Sequence, residues 1–396
     1  MVDYLRIRAL SAAVVALSLC VFAVDAVEPI DAEQLLEKAM AEIRAQKNQQ
    51  ALQTLNQLIK HYPDFQLAQL VRADLLYAQG NLLNKVGQPI DGALTKDLQS
   101  EAKARLKANK APPAGKLPDY VMSLPSWLSH LITIDLAESR AYLFDVKQGQ
   151  LQFVTSYYFT QGKLGAGKEK EGDKRTPIGA YQLTAPIPAH KLTCFYGAGA
   201  LPLDYPNFWD KRKKRTGRGI WLHGTPIGQY SRPPLASDGC VVFTNDDLQK
   251  IMARLDWQKT LVITDNPLRW EEPELIVASR QHLMRSLDQW RQAWLAQDIQ
   301  RYMRFYSEDF VSGGGETRKD WQARKGQLFS YKLPHEIAFS DIFLYKYPGE
   351  KQLMVSVFTQ TYHKAGKTSV ERKRVWWQWQ DDMWKILTEE LVEKVS

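Results

Sequence analysis

The 396-residue chain is poor in cysteine: it has three, at positions 20, 194 and 240, too few and too scattered for a disulfide framework. No cysteine cluster and no closely spaced histidine pair gives the spacing of a zinc site, so no metal is expected. Phosphate and dinucleotide loops are missing as well; Gly162 to Gly167 lacks the Gly-Lys-Ser/Thr ending, and no cofactor is expected. Beyond the first 26 residues no run is apolar enough to span a membrane. Neither sign of charge dominates, but 52 Lys and Arg against 44 Asp and Glu leave a net charge of +8. That balance suits an anionic partner (nucleic acid, a membrane surface or an anionic cell wall) without choosing among them.

The N-terminus chooses the compartment. Arg6 and Arg8 precede an apolar run from Ala9 to Val24, and Val24-Asp25-Ala26 follows. Residues 1–26 therefore read as a secretory signal peptide cleaved near Ala26, which makes the mature chain periplasmic and removes nucleic acid as a partner. An uncleaved membrane anchor is the rival reading, although the run falls short of the roughly 20 residues a spanning helix needs. Leu19 before Cys20 argues against lipid attachment. Export leaves Cys194 and Cys240, either as one bridge or as two thiols.

The hydrophobic period divides the mature chain. Residues 27–115 are helical in pattern: Leu35, Leu36, Ala39, Met40 and Ile43, then Ala51, Leu52, Leu55, Leu58 and Ile59, then Leu67, Leu70, Val71, Leu75 and Leu76. The junction Tyr62-Pro63-Asp64-Phe65 is like that of a tetratricopeptide hairpin, but one or two units fall short of the usual three, and a docking or dimerising segment is expected. After the Pro-rich linker 111–115 the period becomes two. Strands are predicted at Leu131–Asp135, Ala141–Val146, Leu151–Thr160, Tyr181–Leu183, Gly219–Leu222 and Leu261–Thr264, with a short helix from Asn245 to Leu255 capped by Thr244 or Asn245. Residues 125–266 thus form a mostly-β domain. After the boundary Asp265–Pro273, residues 275–396 give helices and then four strands, an α+β domain. The fold class is mixed.

The chemistry is concentrated in the middle domain. Cys240 lies in Ser237-Asp238-Gly239-Cys240-Val241-Val242, a setting that suits a tight, exposed turn, and His223 lies in His223-Gly224-Thr225-Pro226. An imidazole on a neighbouring strand would take the thiol's proton and make a nucleophile for acyl transfer. Backbone N–H groups of Gly239 and Cys240 would hold the oxyanion, and the start of the helix after Cys240 would favour the thiolate.

With Thr176-Pro177-Ile178-Gly179, these motifs resemble the YkuD-type L,D-transpeptidase family of peptidoglycan enzymes, over about residues 128–265. The resemblance implies Cys240 as nucleophile, His223 as general base, the Gly224 carbonyl as the group that orients the imidazole, the Gly239 amide in the oxyanion hole, and peptidoglycan stem peptides as substrate. Two positions depart from the family's usual pattern: Asp238 stands where His is commonest, and Val242 where an Arg is thought to hold substrate carboxylates. Arg218, Arg232 and Arg175 are candidates to supply that charge, with Ser237 and Asp238 beside them. The Ser-Asp-Gly-Cys form with its flanking domains is similar to the L,D-carboxypeptidases that set helical cell shape. An acyl-enzyme resolved by an amine gives L,D-transpeptidation, the first expectation; one resolved by water trims tetrapeptide stems. A wall-binding scaffold with an inert thiol is the reading from another class.

Three further features draw expectations. The loop 209–215, with five consecutive cations from Lys211 to Arg215, reads as a solvated loop or a basic lid over the site. Residues 275–396 resemble the cone of the SnoaL-like and nuclear-transport-factor-like superfamily, which implies a pocket for a small ligand or protein partner, or a dimer contact. Its Trp-rich strand Val375–Trp379 reads as core and edge packing, or as a glycan platform.

Overall fold

The computed structural model describes residues 31–78, 92–331, 335–364 and 367–394. The expected signal peptide lies outside the described residues, among which no helix is long and apolar enough to cross a membrane.

Four helices open the described chain: α1 (Ala32–Arg44), α2 (Asn48–His61), α3 (Gln66–Ala78) and α4 (Ala93–Lys107). Asp31 caps α1 by accepting from the Glu33 and Gln34 amides. Small Ala39, Ala51 and Ala68 let the helices approach closely, and Leu55, Leu58 and Phe65 fill the space between them. Phe65, beyond Pro63 in the α2–α3 junction, is fully buried. The helices lie against the middle domain through charge as well as apolar surface. Burial pushes the Glu33 carboxyl up, but Arg105, Arg140 and Lys110 together hold it below the usual range.

The middle domain is built on two larger sheets face to face, with a two-stranded parallel pair, Gln161–Gly162 and Leu235–Ser237, beside them. One has five strands in the order Gln150–Tyr158, Arg140–Lys147, His130–Asp135, Thr260–Asp265, Gly179–Gln182; the other has four, in the order Val241–Phe243, Trp221–Gly224, Gly199–Pro202, Ile187–Pro188. Ile132, Ile134, Leu143 and Val262 of the first meet Leu201, Leu222, Val241 and Phe243 of the second in one core. The histidine strand begins two residues later than the sequence pattern suggests, at Trp221.

The C-terminal helix Pro273–Leu295 lies on a five-stranded antiparallel sheet. Four of its strands follow that helix in the chain, the order of helices and then four strands that the sequence predicts; the fifth, Val121–Ser123, comes from before the middle domain and pairs with Leu344 and Tyr345. Leu117 and Pro118 likewise pair with Glu271 and Trp270. Tyr120, Leu131, Phe144 and Ile263 share a core with Phe343, Tyr345, Val355 and Trp376, so the middle and C-terminal domains are packed on each other.

Candidate active site

His223 stands in a central strand, opposite Val242 in parallel register and Ala200 in antiparallel register. Alternation sends Leu222 into the core and the His223 side chain to the other face. Cys240 immediately precedes the neighbouring strand Val241–Phe243. Both residues line one recess of about 340 Å³. Cys194 and Cys240 are both free thiols.

The turn that presents Cys240 is built by its neighbours. Gly239 has φ +130°, and a Cβ there would come within 2.8 Å of the Arg175 carbonyl oxygen, so glycine is required. Ser237 Oγ donates to the Cys240 carbonyl at 2.6 Å and accepts the Gly239 N–H at 3.1 Å. Thr176 Oγ1 donates to the Gly239 carbonyl at 3.0 Å, which ties the Thr-Pro segment to the turn.

Both reactive groups are neutral at rest. Burial pushes the His223 imidazole down to about 4, the Arg232 charge pushing the same way against the raising effect of the Gly224 carbonyl. Burial pushes the Cys240 thiol up to about 11, opposed by the Trp221 N–H and by Lys168. The thiol donates to the Gly219 carbonyl at 3.4 Å. His223 Nδ1 lies 2.7 Å from the Gly224 carbonyl oxygen, an acceptor, so Nδ1 carries the hydrogen and Nε2 is left as the basic nitrogen.

The remaining candidates separate. Arg218, Arg232, Ser237 and Asp238 line the recess. Asp238 is exposed and pairs with Lys163 at 3.3 Å, and Ser237 is engaged within the turn. Three expectations need correction. Arg175 does not line the recess; its guanidinium donates to the Ala166 carbonyl at 2.9 Å. The Gly239 amide is taken by Ser237 Oγ, because the tight turn folds that hydroxyl back on it. The helix Asn245–Arg254 starts beyond the strand Val241–Phe243, so roughly 10 Å of extended chain separates its first turn from Cys240, whereas a helix-end charge effect falls off within about a turn.

Several residues around the site carried no signal in the sequence. Phe195 and Tyr196 pack their rings on His223, with centroids 6.1 and 5.1 Å away. Asn245 joins the loop behind them to the end of the histidine strand: its Oδ1 accepts the Ala198 N–H at 2.7 Å and its Nδ2 donates to the Thr225 carbonyl at 3.0 Å. Lys168 is buried in the recess wall and donates to Asp173 at 2.8 Å. The Gly-Thr after the histidine is visible in the sequence; its tie to Asn245, 20 residues on from Thr225, is not.

Residues 129–264 match the L,D-transpeptidase catalytic domain of the YkuD family. This part of the chain is a YkuD-type L,D-transpeptidase domain. The L,D-transpeptidase domain is followed by a match to the Cds6 C-terminal NTF2-like domain over residues 282–390. Among solved structures, the chain is similar to Bd1075 of Bdellovibrio bacteriovorus, with 28% identity and a TM-score of 0.61 over 70% of this chain and 98% of that one. It also has the fold of the helical cell shape determining protein Pgp2 of Campylobacter jejuni, with 23% identity and a TM-score of 0.58 over 74% of this chain and all of that one. No curated protein matches.

The basic loop does not cover the L,D-transpeptidase site. Phe208 and Trp209 stack on Trp376 of the C-terminal sheet, Lys213 and Arg215 pair with Glu350, and none of residues 209–215 lines the recess. Trp376 and Trp377 are buried, as core packing requires, while Trp379 packs on His282 and Trp384.

Proposed function

We propose that the protein is an exported cysteine enzyme of the L,D-transpeptidase type that modifies peptidoglycan through a Cys240 acyl-enzyme. The observation that carries this reading is the Cys240–His223 pair in one recess, with His223 Nδ1 engaged by the Gly224 carbonyl and Nε2 left basic. Cys240 Sγ attacks the carbonyl carbon of the bond between the stem peptide's third, L-configured centre and D-alanine, and its proton passes to His223 Nε2. The C–N bond then breaks, the D-alanine nitrogen takes that proton, and a thioester remains. With the Gly239 amide engaged, the Cys240 N–H is the candidate donor to the oxyanion. Because thiol and imidazole are both neutral at rest, the proton moves during attack rather than before it. The signal-like residues 1–26 support a periplasmic location.

The thioester has two fates. An amine acceptor gives an amide and hence a cross-link; water gives a carboxylic acid and a trimmed stem. The recess of about 340 Å³ falls within the roughly 300–1,000 Å³ range of ligand sites, and the product formed from a stem tetrapeptide distinguishes the two fates. The fold shared with a cell shape determinant supports a role in cell shape.

Incubating the mature protein with tetrapeptide and disaccharide-tetrapeptide, followed by mass spectrometry, tests both points. Tripeptide means trimming; dimers or exchanged D-amino acids mean transpeptidation. Cys240→Ala is expected to abolish either product while keeping the unfolding midpoint. Turnover by that variant would sink the mechanism, and unchanged substrate without any thiol adduct in the parent protein would leave the scaffold reading.

A further inference from the structure

Three consecutive residues join the helices to the catalytic recess. The Tyr230 ring packs between Tyr62 and Phe65 of the α2–α3 junction, with centroids 4.9 and 4.4 Å away. Ser231 Oγ donates to Glu101 Oε1 of α4 at 2.6 Å. Glu101 in turn pairs with Arg105 at 2.9 Å, and the Arg105 guanidinium lies 4.0 Å from the centre of the Tyr158 ring. The third residue, Arg232, lines the recess. Its carbonyl accepts from Tyr158 Oη at 2.8 Å and from Thr160 Oγ1 at 3.0 Å. Thr160 is also bridged through its backbone to Val242. Arg232 is therefore held on both sides, by the helices and by the Tyr158–Thr160 stretch, which is bridged to the strand after the cysteine.

The guanidinium has an unused donor. Nη2 donates to the Ala236 carbonyl at 2.5 Å, and the Phe195 ring lies 5.8 Å from the guanidinium carbon, but Nη1 is sealed from solvent without a hydrogen-bond partner. A buried charged donor without an acceptor is costly, and a carboxylate is the acceptor that matches a guanidinium's geometry. The other cations of the recess differ: Lys168 is engaged by Asp173, Lys163 by Asp238, and Arg218 is exposed. Val242 is buried and offers no charge.

We propose that Arg232 binds a carboxylate of the stem peptide in the donor site, and that the helical segment is a positioning element that holds Arg232 there through Tyr230 and Ser231. The inference rests on the recess being the donor site. It also gives the helices a part in substrate recognition beyond docking or dimerisation. The carboxylate is either the terminal D-alanine carboxylate or a side-chain carboxylate within the stem.

Calorimetric titration of the full chain carrying Cys240→Ala tests this without turnover. The probes are a stem tetrapeptide, its C-terminal amide, and the same peptide with its side-chain carboxylate amidated. Amidation at the recognised carboxylate is expected to weaken binding by about 10- to 100-fold, and the peptide that suffers identifies the source. Adding Arg232→Gln should bring acid and amide within about twofold of each other, whereas Arg232→Lys should keep part of the preference because it retains charge without the fork. Ser231→Ala and Tyr230→Ala should weaken the acid and spare the amide. Equal weakening of both peptides would reduce the helices to a merely structural role and overturn the positioning claim. A preference that survives Arg232→Gln, or no binding of any peptide, would overturn the carboxylate site. The acyl-enzyme reading fails separately, by turnover in the Cys240→Ala protein.

Discussion

Two cavities in this molecule each hold a base whose proton affinity is depressed by burial, and they differ in what the base faces. In the catalytic recess His223 is pushed down to about 4, and a thiol lines the same cavity. In the C-terminal domain Lys325 is pushed down to about 7 by burial and by Lys373, opposed by Glu389, and it lines a cavity of about 220 Å³. Its ammonium lies 4.3 Å from the Trp294 ring centre, 4.8 Å from that of Trp321 and 5.8 Å from that of Tyr302. No cysteine, serine hydroxyl of a turn or oriented imidazole is paired with it in that cavity wall. A perturbed base is therefore not a catalytic site by itself. What marks the first cavity is a thiol just before the adjacent strand and a carbonyl that fixes the tautomer of the imidazole.

The contrast can be broken most directly at the base. His223→Ala should lower kcat/KM by about 10²–10⁴-fold, the usual loss of a general base. Lys325→Met should leave kcat/KM unchanged, since nothing places that amine on the reaction. A product assay on both variants checks this, and a comparable loss in Lys325→Met would dissolve the distinction.

Lys325 should instead register in stability. A cation whose folded value lies below its unfolded value binds fewer protons in the folded state, so stability rises with pH between about 7 and 10.5. The gain across that window is on the order of 3–5 kcal/mol. Chemical denaturation at several pH values should show the slope in the parent protein and its disappearance in Lys325→Met.

Smaller effects sharpen the same comparison. Asn245→Ala frees the Ala198 amide and the Thr225 carbonyl behind the histidine, at a cost of about 1–3 kcal/mol in unfolding free energy. Because the Phe195–Tyr196 rings then lose their anchor, kcat/KM should fall about tenfold, well short of the His223→Ala loss. Finally, the acid limb of kcat/KM should lie near pH 4. Below that value the imidazole is protonated and cannot accept the thiol's proton, whereas an ordinary histidine would place the limb near 6.5. A rate profile already falling at pH 6 would mean that His223 is not held neutral.

What the sequence disclosed follows the range of the interactions. Strands, the cap of the helix Asn245–Arg254 and the Ser-Asp-Gly-Cys turn depend on residues a few positions apart, and their periods and spacings are visible in the chain. The expected hairpin Leu131–Asp135 with Ala141–Val146 is the antiparallel pair His130–Asp135 and Arg140–Lys147. The engagement of the Gly239 amide was missed because a turn this tight lets Ser237 reach a donor that would otherwise face the substrate. The basic loop read as a solvated loop or a lid because charge was read without its partners; Glu350, more than 130 residues away, pairs with Lys213 and Arg215. Lys325 drew no attention because a single lysine in a polar helix gives no sign that three aromatic rings will enclose it. Strand Val121–Ser123 is three residues long, too short for a period to show.

That short strand has a mechanical consequence. The stretch between Ser123 and Trp270 leaves the C-terminal sheet at Val121–Ser123 and returns to a separate two-residue zipper, Leu117–Pro118 with Trp270–Glu271, just before the helix Pro273–Leu295. In chain order it is a large loop spliced into the C-terminal domain rather than a bead before it. Tension applied between residue 117 and the C-terminal strand is borne by that zipper and by the five-stranded sheet. The strand that carries His223 and the turn that carries Cys240 stay out of the load path for as long as the zipper holds, so the recess keeps its geometry under strain.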